Sequence, residues 1–367
     1  MMDLLIFDMD GVLLKPRGYH LALQETVRLA GQSIGMGDVN LSDAQIAKYE
    51  ALGISSEWHS SALSLAVLKM QQRAGLLGGS KGGALALDDL FDLLAEEPLE
   101  NPALDRGLAA FERLSGKYGV RVDGLREDLL QCEAIDHSAT MNWFQELILG
   151  SKWYSDTYGK PAQLYQESYL IQYDQRILSQ DMGETIRSWS SETENGAAVM
   201  TNRPSSGPPG FAGAPDADLG IELVGLPGVP VIGYGEILWM AEAAERESGT
   251  LNKPNWVHAL AAILVGSGMV LQESLVVTLR LYLDGGGDRQ DELAYLAGST
   301  ISVFEDTPAG VVAVEKAGEL LGGLGIPVHV QKIGVTGEAS KQAALEAVGA
   351  VVFSNVNEAL GSLQYFN

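Results

Sequence analysis

A single cysteine, Cys132, stands in a chain of 367 residues, so no internal disulfide can form and nothing calls for an oxidising compartment. Basic residues are also scarce. Twenty-four Lys and Arg face 48 Asp and Glu, a formal charge of −24, with a pI near 4.5. Such a field repels polyanions, which argues against nucleic acid and anionic membranes as partners. A small anionic substrate is still compatible with it, provided a cation or a local basic group meets that substrate. Long apolar runs are missing too. The greasiest stretch, 256–271, contains His258 and is closed by Gln272 and Glu273. It falls short of the ~20 residues a bilayer requires and reads as a buried helix. At the start of the chain, Asp3, Asp8 and Asp10 interrupt what would be the apolar segment of a signal peptide, and no basic residues precede it. A soluble, cytoplasmic protein is expected. No internal repeat is present.

What is there can build a core. Apolar residues make up 46% of the chain, which excludes a disordered acidic tail. At roughly 150 residues per domain, the length fits two or three domains. Short apolar runs at 3–8, 196–201, 229–233, 299–304, 326–330 and 350–353 read as buried parallel strands. Helical patterns at 237–248, 309–321 and 341–348 separate them. This alternation predicts an α/β fold with a doubly wound parallel sheet, in which ligands bind at the carboxyl ends of the strands. Residues 15–189 differ: amphipathic helices such as 20–30 and 61–74 are joined by breaks such as the Gly-rich 78–83. They are read as a large, mostly helical inserted domain, with 1–14 and 190–367 forming the α/β core. The proline-rich 203–216 and the Gly-rich 284–288 are read as loops.

Acidic residues gather at the strand ends. Asp8-Met9-Asp10-Gly11-Val12 follows the first strand directly, and Gly11 permits a tight turn. Paired carboxylates there can hold Mg²⁺, a hard cation that prefers oxygen ligands. One of them can also attack phosphorus. An isolated Asp-x-Asp recurs by chance in acidic proteins, so the pair needs support. A second acidic element, Val303-Phe304-Glu305-Asp306-Thr307-Pro308-Ala309-Gly310, again runs strand, turn, helix. Its acids can cap the helix dipole, or complete a metal shell. Thr201 ends another strand and is followed by Asn202 and Arg203; a hydroxyl and nearby backbone N–H groups can hold phosphoryl oxygens. Between Thr201 and Asp306 the only lysine is Lys253, in Asn252-Lys253-Pro254. A phosphate dianion among carboxylates needs compensating charge, on the order of 4 kcal/mol per unit pair at close range and moderate screening. Mg²⁺ with one lysine is the minimum.

Taken in order, Asp8-Met9-Asp10-Gly11-Val12, Thr201, Lys253-Pro254 and Phe304-Glu305-Asp306-Thr307-Pro308-Ala309-Gly310 resemble motifs I to IV of the haloacid dehalogenase superfamily. The last of these, and the ending 351–360, are similar to the phosphatase and phosphomutase branch, which carries a helical cap inserted after motif I. The resemblance covers about 1–20 and 190–367. It implies that Asp8 is the nucleophile forming an aspartyl-phosphate, and that Asp10 protonates the leaving group and then activates water. It implies Mg²⁺ held by Asp8, the Asp10 main-chain carbonyl and Asp306, with Glu305 assisting. Thr201, Asn202 and Lys253 would hold the phosphoryl group. Dehalogenating relatives lack the second motif I carboxylate, so Asp10 favours phosphoryl chemistry. The sequence departs from the pattern in its enlarged insertion and in the long stretch between Lys253 and Glu305.

The implied activity is a Mg²⁺-dependent phosphatase acting on a small phosphorylated metabolite. A phosphomutase would share every core residue, and a silent binding module of the same fold is the non-enzymatic alternative. A phosphonate-cleaving enzyme would need a Schiff-base lysine in the insertion, where none stands out. His20, with Lys15 and Arg17 close by, is the candidate substrate contact from the insertion; a surface or capping role is its alternative. The aromatics Trp143, Phe144, Trp153, Tyr154, Tyr158, Tyr165, Tyr169 and Tyr173 either stack on a ligand or pack the domain. The substrate and the oligomeric state are left open.

Overall fold

A computed structural model describes residues 2–54, 56–75, 87–98, 101–121, 124–247, 249–285 and 290–363. The Gly-rich break 78–83 and most of the loop 284–288 lie outside the described residues. The chain divides into two compact units, Met1–Pro16 with Asp174–Asn367, and Arg17–Tyr173. The second boundary differs from the one read in the sequence: residues 174–189, assigned there to the insertion, belong with the first unit. The helix Gln180–Ser190 shows why, since Ile186 and Trp189 are buried in the core of that unit.

The first unit is an α/β fold. Its strands are β1 (Asp3–Phe7), β2 (Leu14–Lys15), β3 (Gln175–Arg176), β4 (Asn195–Met200), β5 (Val231–Ile232), β6 (Thr300–Glu305), β7 (His329–Val335) and β8 (Val351–Phe353). Six of them form one sheet in the order β5-β4-β1-β6-β7-β8, and every neighbouring pair is parallel. β2 and β3 make a small antiparallel ribbon of their own.

Alternation along β1 explains why the sheet is covered on both faces. Leu4 and Ile6 join a core with Ala198, Met200, Ile301 and Val303 under the helices Trp256–Gly266 and Pro308–Gly323. Leu5 and Phe7 join the opposite core with Ala197 and Val199, under Gln180–Ser190, Asp216–Val224 and Val356–Gly361. Successive side chains of a strand face opposite ways, so a near-continuous apolar run is what a twice-covered strand needs. Burying the larger of these side chains, the alanines apart, stabilises the unit by about 1.5–3 kcal/mol each.

Several elements differ from their sequence reading: the strand read at 229–233 is Val231–Ile232 and the helix read at 237–248 is Tyr234–Ala243, and two others have a visible cause. β7 runs to Val335 rather than stopping at Val330, because its polar residues are satisfied: Gln331 accepts from Ser302, and Lys332 donates to Glu315 and to the Val348 carbonyl. The apolar stretch 256–271 is one buried helix only to Gly266; Gly268, at φ +94°, breaks it before the helix Leu271–Asp284.

Among its described residues, the regular elements of the second unit are all helices. Its helices Gly18–Ser33, Glu57–Arg73 and Ala139–Leu149 bury Leu23, Leu63, Val67, Phe144 and Ile148. Phe144 and Tyr154 are core, whereas Tyr165 is 85% exposed, so the late aromatics divide between packing and surface. Among the described residues, no helix is long and apolar enough to cross a membrane.

Candidate active site

The strand order brings the three acidic or hydroxylic strand ends together. β1 lies between β4 and β6, and Phe7 is level with both Val199 and Phe304. The chain reverses direction across the sheet here, which opens a crevice at the carboxyl ends. Asp8 follows β1 and its N–H extends the ladder to the Phe304 carbonyl at 2.9 Å. Thr201 follows β4, and Glu305 and Asp306 close β6.

Two glycines make the approach possible. Gly11 sits at φ +78°, and a Cβ there would come within 2.4 Å of Asp306 Oδ2. Gly310, in the first turn of Pro308–Gly323, would place a Cβ 1.6 Å from Glu305 Oε1. Thr307 is the N-cap and Pro308 the first helical residue, where its missing N–H costs nothing. The motif therefore ends a strand, starts a helix and leaves room for its own glutamate.

Lys253 precedes the helix Trp256–Gly266, which Asn255 caps by accepting from the Val257 N–H at 3.0 Å. Its buried amine donates to Glu305 Oε1 at 2.8 Å and lies 2.9 Å from Asp8 Oδ1. Burial pulls the Lys253 amine down, but Asp8 and Glu305 outweigh it and hold the amine above the ordinary lysine value. Burial raises Asp8, with Lys253 opposing. Glu305 is pushed upward, by burial first and the Asp8 charge second.

Asp8, Glu305 and Asp306 each offer an oxygen, and the three oxygens lie within 4.8 Å of one another. Asp8 Oδ2 and Asp306 Oδ1 take no hydrogen bond from the described residues. Asp8 and Asp306 thus each keep a free carboxylate oxygen, a hard ligand that suits a divalent cation such as Mg²⁺. The Asp10 carboxylate is not in this group; the ligand that the resemblance implies from Asp10 is its main-chain carbonyl. The carboxylate oxygens are turned to Arg203: Nε lies 3.0 and 2.9 Å from Oδ1 and Oδ2, and Nη2 lies 2.5 Å from Oδ1.

Thr201 is buried and its Oγ1 accepts from the Arg203 N–H at 3.2 Å, so the hydroxyl hydrogen is left to donate. Thr201, Asn202, Lys253, Asp8, Asp10 and Asp306 all line one cavity of about 760 Å³. His20 is in the second unit, on the helix Gly18–Ser33, where Nε2 meets Glu50 at 3.0 Å.

Three residues escaped the sequence reading. The sequence places Arg203 beside Thr201 and Asn202 and at the head of a proline-rich loop, with no role for its side chain; its signal is that place at an acidic strand end. Lys341, in the first turn of Ala339–Ala347, pairs with Asp306. A cation at that end of a helix opposes the dipole, which was a usable sign of another task. Asp174 meets Arg203 Nη2 at 2.7 Å and carries no signal, lying 29 positions earlier in a stretch that the sequence assigns to the insertion. Positive charge at the site is therefore richer than Lys253 alone.

No family model and no curated protein matches the sequence. A crystal structure solved as Northeast Structural Genomics Consortium target ZR25 is similar over 98% of both chains, with a TM-score of 0.67 at 16% identity, and shares the fold. Phosphatase Tt82 from Thermococcus thioreducens overlaps 94% of this chain and 99% of its own at 13% identity, with a TM-score of 0.42, too slight to carry an argument.

Proposed function

We propose that the protein is a Mg²⁺-dependent phosphatase of haloacid dehalogenase type, transferring the phosphoryl group of a small metabolite to water through Asp8. One observation carries the reading: a nucleophile-grade carboxylate at a strand end, held by a buried lysine, with Glu305 and Asp306 beside it and open cavity in front.

Asp8, Glu305 and Asp306 would hold the cation, which when bound offsets phosphoryl charge and screens the incoming dianion from the carboxylates. Lys253 fixes Asp8 through Oδ1, and the Met9 N–H donates to the same oxygen at 2.8 Å. The Thr201 hydroxyl and the Lys253 ammonium bind phosphoryl oxygens, stabilising the charge that develops on them. Asp10 gives its proton to the leaving oxygen and, once ionised, takes one from water. A phosphomutase uses the same residues and differs only in the acceptor.

The test is hydrolysis of p-nitrophenyl phosphate with and without Mg²⁺, beside Asp8→Asn. Strict metal dependence and loss of turnover in the variant are expected. Turnover without metal, or a fully active variant, would remove the mechanism. Retained activity stimulated by a sugar bisphosphate would transfer the reading to a mutase.

A further inference from the structure

The Asp10 carboxylate is gripped from behind. Arg203 is 2% exposed at its side chain, Asp174 0%, and Asp10 35%, so the guanidinium is sealed between a buried acid and one that opens on the cavity. Both ends of Arg203 are tied. Its N–H donates to Thr201 Oγ1, its carbonyl accepts from the Tyr234 N–H at 2.8 Å, and Nη2 is drawn onto Asp174. The following loop is pinned as well: Ser205 Oγ donates to Glu236 at 2.5 Å, and the Gly233 N–H donates to the same carboxylate at 2.8 Å. A guanidinium has donors only, in a rigid fork, so fixing its plane fixes the plane of the carboxylate it holds.

We propose that Arg203, anchored by Asp174, is a positioning residue for the second half of the reaction, presenting the Asp10 carboxylate to the hydrolytic water. The inference rests on the phosphatase reading above. The contacts distinguish the two Asp10 oxygens. Oδ1 accepts from both Nε and Nη2, whereas Oδ2 meets Nε alone at 2.9 Å. Oδ2 therefore retains the freer lone pair and is the base. The water oxygen bonds to phosphorus as the bond from phosphorus to the Asp8 oxygen breaks, its electron pair returning to the Asp8 carboxylate. The water proton passes to Asp10 Oδ2, and inorganic phosphate leaves. Arg203 touches neither water nor phosphate and acts through Asp10.

The consequence is a selective loss. p-Nitrophenolate leaves without needing a proton, so forming the phosphoenzyme from p-nitrophenyl phosphate does not depend on Asp10. Its breakdown does. Arg203→Met and Arg203→Lys are compared with the parent protein by rapid-mixing kinetics and intact-protein mass spectrometry during turnover with Mg²⁺. In the Met variant the first turnover is kept within about threefold, steady-state turnover falls on the order of 10²-fold, as loss of a positioned base does, and the phosphoryl adduct on Asp8 accumulates. The Lys variant recovers part of the rate. Asp174→Asn leaves Arg203 in place and shifts the same quantities in the same direction by less, which keeps the test open if the Met variant does not fold. Unchanged steady-state turnover, or equal loss of both phases without adduct, would overturn the assignment. Failure of the phosphatase reading looks different, because then the parent protein itself forms no adduct.

Discussion

Lys253 is the residue whose removal should cost most. Its amine stands between two buried carboxylates, Asp8 and Glu305. Removing one partner of a buried ion pair strands the other charge, at about 3–5 kcal/mol. Lys253→Met should therefore unfold at markedly lower urea than the parent protein. Mg²⁺ should restore much of the difference, because a cation bound only by the folded state stabilises it by mass action. Urea titration with and without Mg²⁺ decides the point: a variant as stable as the parent, or one that gains nothing from the metal, would mean the carboxylates are neutral without Lys253. Gly310→Ala probes the other side. The added methyl has to displace Glu305 or the helix, an overpacking cost of about 1–3 kcal/mol. Calorimetric Mg²⁺ titration of that variant should show weaker binding, and unchanged affinity would separate Glu305 from the cation.

The helix Trp256–Gly266 that carries Lys253 into place also carries a pH dependence. His258 is fully buried, and its Nε2–H donates to the Ile232 carbonyl at 3.0 Å, while Nδ1 has no partner among the described residues. Burial, then the Lys253 charge, pushes its pKa down from 6.5 to about 3. The unfolded chain thus binds the extra proton between those values and the folded protein does not. Stability from this group is complete above pH 6.5 and is lost as pH falls toward 3, at about 1.4 kcal/mol per unit, or about 2 kcal/mol by pH 5. Urea unfolding at pH 7 and pH 5 should show that loss in the parent and little of it in His258→Gln, which keeps the donor to Ile232. Equal slopes in the two proteins would refute it. None of this was readable beforehand, since His258 marked only an interruption in an apolar stretch. The strands were readable, because a run buried on both faces shows as unbroken apolar residues, and so were Asp8, Lys253, Glu305 and Asp306, which sit next to strand ends or turn residues in the chain. β7 was cut short because Gln331 and Lys332 are polar, and their partners Ser302, Glu315 and Val348 come from elsewhere in the fold. Arg203 and Asp174 meet across 29 positions, a distance that strand and helix periodicity does not bridge.

The net charge of −24 acquires a local meaning from this arrangement. Asp8, Glu305 and Asp306 are concentrated where Lys253 and Lys341 also converge, so the acidic excess does not by itself forbid an anionic substrate at the site. Self-repulsion among the remaining acids still opposes compaction in both units. The unit Arg17–Tyr173 has what an inserted domain needs to withstand that repulsion alone. It buries its own aromatics, with Tyr49 set edge-on to Phe91 at 4.8 Å and Phe111 and Phe144 fully packed. Its two ends also meet: a Cβ on Gly18 would come within 2.9 Å of the Tyr169 carbonyl. Adjacent termini let a domain be inserted into, or cut from, a host chain with little change to its own packing. Residues 17–173 expressed alone should therefore fold as a helical domain. Far-ultraviolet circular dichroism should show a helical spectrum and a cooperative thermal transition whose midpoint rises with added salt, as screening relieves like-charge repulsion. A broad, non-cooperative melt would show that this unit depends on the α/β unit for its fold, and a midpoint indifferent to salt would remove self-repulsion from the account of its stability.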